Sequence, residues 1–117
     1  MEIVYISGPY RAKTHNGVRR NILRAEAVAM KYWRLGYGVI CPHKNCEMVD
    51  DDDLCDRIME ADLEILKRTA DKVVMVPEWE DSEGSNLERN LGIALGLPIV
   101  YETEETIMEY ISRVGKV

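Results

Sequence analysis

The chain has 117 residues, enough for one hydrophobic core and too few for two domains. Its 46% hydrophobic and 31% charged residues are ordinary for a soluble globular protein. The net charge of -6 argues against general binding to a nucleic acid polymer, although a local arginine or helix N-terminus still admits a small anionic ligand.

Residues 2–6 form a β-rich run that Ser7, Gly8 and Pro9 end, and a polar loop with Arg11, Lys13 and His15 follows. Over residues 18–35, Val18, Ile22, Ala25, Ala29 and Tyr32 recur at helical spacing, and Gly36 stops the helix. Residues 38–41 predict a second strand, ended by Pro42. Residues 44–53 predict a loop carrying the aspartates Asp50, Asp51, Asp52 and Asp53. An amphipathic helix over 54–68 and a third strand over 72–76 come next, then a helix over 86–95 closed by Gly96 and Pro98. A fourth strand over 97–101 and a helix over 104–114 complete the chain.

Strands alternate with helices, and the strands are apolar throughout rather than on alternate residues. That pattern predicts a single α/β domain over residues 1–117, a doubly wound, three-layer sandwich with a four- to five-stranded parallel sheet. Its ligand cleft belongs at the carboxyl ends of the strands. No apolar run is long enough to cross a bilayer, and no charged-then-apolar leader precedes the first strand. Cys41, Cys46 and Cys55 form no Cys-x-x-Cys pair and look like reduced thiols. A cytoplasmic protein with no membrane partner is expected.

The strand–loop–helix–strand unit of residues 71–100 sets Ser82, Gly84 and Glu88 where such units hold small ligands. Glu88 has two readings: it closes a Ser85-Asn86-Leu87-Glu88 capping box in the first helical turn, or it leans toward the loop mouth beside a buried stripe of Leu87, Leu91, Ala94 and Leu95. Asp62 is the clearest anomaly, because it projects from the apolar face made by Leu54, Cys55, Ile58, Met59, Ile65 and Leu66. There it is either a structural carboxylate with a buried partner or a raised-pKa acid.

In the first loop, Gly8 permits close ligand approach and Arg11 is a phosphate partner or a solvated arginine. The Tyr5 hydroxyl can orient a carboxylate or merely tip a packed ring. His43 reaches the cleft mouth from the end of the second strand. Cys41, His43 and Cys46 match no common zinc spacing, and the four aspartates lack the glycine and terminal glutamate of a calcium loop, so no metal is expected. Neither a Walker phosphate loop nor Gly-x-Gly-x-x-Gly occurs, and no cofactor is expected.

Three motifs in order, Tyr5-Ile-Ser-Gly-Pro-Tyr-Arg11, Ala61-Asp-Leu-Glu-Ile-Leu66 and Ser82-x-Gly-x-x-x-Glu88, resemble the nucleoside 2-deoxyribosyltransferase-like superfamily. The resemblance is to its DUF4406-like bacterial and phage branch, related to the 2'-deoxynucleoside 5'-monophosphate N-hydrolases. It implies that Glu88 is the nucleophile, Asp62 the acid for the leaving base, and Tyr5 the residue positioning the nucleophile. It also implies a substrate-binding set of Ser7, Gly8, Arg11, His43, Ser82 and Gly84, with Arg11 and Ser82 on the 5'-phosphate. Serine at Ser82, where the transferases carry an aspartate, is similar to the hydrolases. The activity so implied is N-glycosidic cleavage of a deoxynucleotide or analogue. Pro9 stands where the hydrolases have a serine and keeps open a nucleotide-binding module without turnover; deoxyribosyl transfer is the third reading. The resemblance further implies a homo-oligomer acting on a small nucleotide or nucleoside.

Overall fold

The computed structural model describes residues 1–45 and 52–115, the side chains of Asp52 and Asp53 excepted. The strands are β1 (Ile3–Ser7), β2 (Gly38–Ile40), β3 (Lys72–Met75) and β4 (Ile99–Tyr101). The helices are α1 (His15–Arg34), α2 (Pro42–Asn45), α3 (Asp52–Thr69), α4 (Glu83–Ala94) and α5 (Glu104–Val114). Cys46, Asp50 and Asp51, to which the zinc and acidic-loop expectations refer, lie outside the described residues, and Asp52 and Asp53 contribute only their backbone, to the start of α3.

All four strands are parallel, in the order β2-β1-β3-β4. Strand alternation assigns each side chain to a face. On β1, Val4 and Ile6 join Ala25, Val28, Tyr32 and Ile107 in a core beneath α1 and α5, with Val74 and Val76 beside them. Tyr5 points the other way, into a second cluster with Val73, Met75 and Leu66, against which Leu91 and Ile99 pack. Burial on both faces is why the strands read as continuous apolar runs. The result is a three-layer α/β sandwich, with α1 and α5 on one face and α3 and α4 on the other. Among the described residues no helix is long and apolar enough to cross a membrane.

Three sequence expectations change. The polar stretch after β2 begins with the short helix α2, whose first residue, Pro42, suits a position where no amide hydrogen is needed. Helix α1 starts earlier than residue 18, because the Thr14 side chain accepts the Gly17 N–H at 3.0 Å. Helix α4 likewise starts at Glu83, capped by Ser82, whose Oγ accepts the Ser85 N–H at 3.2 Å. Ser85 is therefore inside the helix and Glu88 lies in its second turn, so the Ser85–Glu88 capping box does not form.

The buried face of α4 is also different. It consists of Ser85, Glu88 and Gly92, with Leu91 half-buried, while Leu87, Ala94 and Leu95 are exposed. Gly92 explains how a helix can bury so polar a face. A Cβ there would stand 2.9 Å from Val73 Cγ2 and 3.0 Å from Ile99 Cδ1, so only glycine lets α4 settle this low on β3 and β4. That height brings Glu88, one turn earlier, down to β1.

Candidate active site

Tyr5 and Ser7 are two residues apart on β1 and share the face turned toward α4. Both are fully buried. The Tyr5 hydroxyl donates to Oε2 of Glu88, and the Ser7 hydroxyl donates to Oε1 at 2.5 Å. Each oxygen of a carboxylate that is only 6% exposed is thus held by its own buried donor. Hydroxyl–carboxylate hydrogen bonds are short and strong, and two of them from one strand fix the group in position and in plane.

Electrostatics make this carboxylate unusual. Burial pushes Glu88 up to about 7; the Ser7 and Tyr5 hydrogen bonds pull it down, and the negative charge of Asp62 pushes it further up. Tyr5 is driven far above the ordinary phenol range, by burial first and then by Glu88, so it remains a donor. Asp62 is half-buried, and desolvation raises it to about 6. Glu88 feels the charge of Asp62, whereas Asp62 is raised by its own burial, and both carboxyl groups are pushed toward neutrality at one cleft.

A cleft of about 840 Å3 opens at the carboxyl ends of the strands, and Glu88 and Asp62 both line it. Its size is that of a small-molecule site. The first loop contributes Gly8, Pro9, Tyr10 and Arg11; α2 contributes Pro42 and His43; α3 contributes Met59 and Asp62; the start of α4 contributes Ser82, Gly84 and Ser85. The β1 and β3 neighbours in the sheet wind outward in opposite directions from this point, which is where open α/β sheets hold ligands.

His43 is 5% exposed, with Nε2 2.9 Å from the Pro9 carbonyl oxygen. Burial lowers its pKa, and hydrogen bonding to the Pro9 and Gly8 backbone only partly opposes this, so the ring is neutral at pH 7. Nε2–H then donates to Pro9, which leaves Nδ1 as an acceptor. Arg11 is exposed at the rim. Ser82 spends its lone pair on the α4 cap while its hydroxyl hydrogen remains available. Gly8 has a packing role: a Cβ there would come within 2.6 Å of Val76 Cβ, so the residue lets the first loop cross the end of β3. Ser7 does not line the cleft; its hydroxyl is turned to Glu88. Cys41 is buried, which pushes its thiol up to about 12 and removes it as a nucleophile. Cys41 and Cys55 are free thiols, and among the described residues no group of three His, Cys, Asp or Glu side chains is placed to hold a metal.

Sequence reading passed over four contributors. Asn21 is buried, and its Nδ2 donates to the Tyr10 carbonyl at 3.1 Å, pinning the first loop to α1. A polar residue on the buried stripe of an amphipathic helix was the available signal, the one that singled out Asp62. Arg20 lines the cleft and grips Glu78 with two bonds of 3.2 and 3.1 Å, while Arg24 stands 3.6 Å from the same carboxylate. Glu78 has φ +77°, a left-handed conformation costly outside glycine, which nothing in the local sequence announces. Ser85 is the fourth: the expected capping box assigned it to a helix end that lies elsewhere.

A family model described as "Domain of unknown function (DUF4406)" matches residues 2–101. No curated protein matches the chain.

Proposed function

We propose that this chain, which belongs to the DUF4406 family, cleaves the N-glycosidic bond of a 2'-deoxynucleoside 5'-monophosphate or a close analogue. The observation that carries this reading is the grip of Tyr5 and Ser7 on both oxygens of Glu88, beside a cleft that Asp62 also lines. The motif resemblance to the deoxyribosyltransferase-like superfamily supports the same roles.

Glycosidic carbon chemistry suits two carboxyl groups of this kind. The bond to the base breaks through an oxocarbenium-like state, which ionised Glu88 stabilises and then captures as a glycosyl ester. The departing nitrogen takes the bond's electron pair and a proton from Asp62, whose raised pKa lets it hold one near neutrality. Water then attacks the ester carbon, gives a proton back to Asp62, and releases the sugar and Glu88. Tyr5 and Ser7 hold the nucleophile in line and keep it from turning toward solvent.

The phosphate would meet Arg11, the Ser82 hydroxyl and the first amides of α4, where the helix dipole favours an anion. Arg20 is already engaged by Glu78, which makes Arg11 the cleft cation without an ion pair among the described residues.

The test is a screen of 2'-deoxynucleoside and ribonucleoside 5'-monophosphates for released base, with wild type and Glu88→Ala compared. Release by wild type and its loss in the variant are expected. No release from any member of the set, or full release by the variant, would overturn the reading.

A further inference from the structure

Among the described residues, two buried side-chain atoms have no hydrogen-bond partner, Nδ1 of His43 and Oγ of Ser85. Both residues line the same cleft, and Ser85 is only 1% exposed. Folded proteins rarely leave such atoms unpaired, and two in one cavity mark where a ligand supplies the partners.

The two atoms ask for different things. His43 Nδ1 is an acceptor, because Nε2–H is spent on Pro9, so a ligand must bring it an O–H or N–H. Ser85 gives its backbone N–H to Ser82, yet its hydroxyl remains uncommitted. Ser85 is the third residue of α4, and the residue four back, Asp81, lies before the helix, so the helix itself offers this hydroxyl no carbonyl to bond. The hydroxyl can both donate and accept. A hydroxylated ring satisfies both atoms; an apolar ligand satisfies neither.

Position says which hydroxyl Ser85 would meet, given Glu88 as the nucleophile proposed above. Ser85 precedes Glu88 by three residues on the buried face of α4, about one helical turn or ~5 Å away. A nucleoside carries its base on the upper face of the sugar, so a carboxylate in line with the departing base approaches from below. In ribose the 2'-hydroxyl projects from that lower face, on the carbon next to the reacting one. The helix face that brings the carboxylate therefore also faces this hydroxyl. Hydrogen bonds at that position strengthen as charge develops on the neighbouring carbon. We infer that Ser85 is a specificity-determining residue whose hydroxyl pairs with the 2'-hydroxyl of the sugar, so that the cleft prefers a ribosyl ligand to its 2'-deoxy counterpart. The closely related analogue left open by the proposed function is, on this inference, the ribonucleotide.

Ribose 5-phosphate and 2-deoxyribose 5-phosphate test this without relying on turnover, since neither has a glycosidic bond to break. Calorimetric titration of wild type is expected to show about tenfold tighter binding of the ribose compound, and Ser85→Ala to erase that preference. Without ligand, Ser85→Ala is expected to melt at least as high as wild type, by up to about 4 °C, because it removes an unpaired buried hydroxyl. A merely structural hydroxyl would lower the melting temperature instead. Equal binding of both sugars by wild type, a preference surviving in Ser85→Ala, or no binding of either sugar would overturn the inference. Base release remains the separate test of the parent reading.

Discussion

Ser7 and Glu88 are 81 positions apart in the chain, and the hydroxyl of the first donates to Oε1 of the second at 2.5 Å. Such a bond stabilises the ionised carboxylate, and it is one of two forces opposing the burial that raises Glu88. Ser7→Ala should therefore raise the Glu88 pKa further, by roughly one unit, which corresponds to about 1.4 kcal/mol. Carbon-13 detected NMR titration of labelled glutamate reads this directly. An unmoved titration in the variant would show that Ser7 does not hold the carboxylate.

The pH dependence of turnover follows from two neighbouring values. Glu88 acts ionised, so rate should rise with pH through about 7. Asp62 acts protonated, so rate should fall as pH rises through about 6. Because the nucleophile titrates above the acid, only a small fraction of molecules has the productive arrangement, and a narrow bell centred between these values is expected. Asp62→Asn should remove the alkaline limb and cost about 10²–10⁴-fold in rate. A rate that stays flat from neutral into alkaline pH would count against Asp62 as the acid.

Stability should carry a related signature. A glutamate in the unfolded chain releases its proton near 4.5, whereas folded Glu88 holds it to about 7. Between those values the folded state binds the extra proton, so stability falls as pH rises through the window and levels off above it. The loss attributable to Glu88 is on the order of 3 kcal/mol. Urea unfolding of wild type and Glu88→Gln across pH 4 to 9 separates this share, and parallel curves would contradict it.

Gly92 gives a packing prediction. Alanine there would set its methyl against Val73 and Ile99 at 2.9 and 3.0 Å, forcing α4 away from the sheet. Gly92→Ala is expected to cost about 1–3 kcal/mol and to loosen the Glu88 bonds to Tyr5 and Ser7 together. Intact stability with unchanged Glu88 titration would show that α4 has room to spare.

Much of this arrangement can be read from the chain. Apolar strands alternating with helices carry the parallel sheet, and Asp62 stands out because a single carboxylate interrupts an apolar helix face. The face of α4 could not be read in that way. Hydrophobic patterning favours Leu87, Leu91, Ala94 and Leu95 as its buried side; Leu91 does pack on the core, but the fully buried positions are a glycine and two polar residues. Their burial makes sense only once the β1 hydroxyls are known to be waiting for Glu88. The same distance hides the role of Ser7, whose partner lies on another element. The start of α4 is hidden for a local reason: the Ser-x-x-Glu pattern points to Ser85 as the cap, whereas Ser82 fills that place and Glu88 is drawn away to β1.

The most direct test of Glu88 as the nucleophile is to trap its glycosyl ester with a 2'-fluorinated arabinonucleoside 5'-monophosphate, whose electron-poor sugar slows the hydrolytic second step. Peptide mass mapping should find the sugar phosphate on the peptide containing Glu88 and nowhere else. A sugar adduct on a different carboxylate, or base release by Glu88→Gln at the wild-type rate, would contradict the assignment.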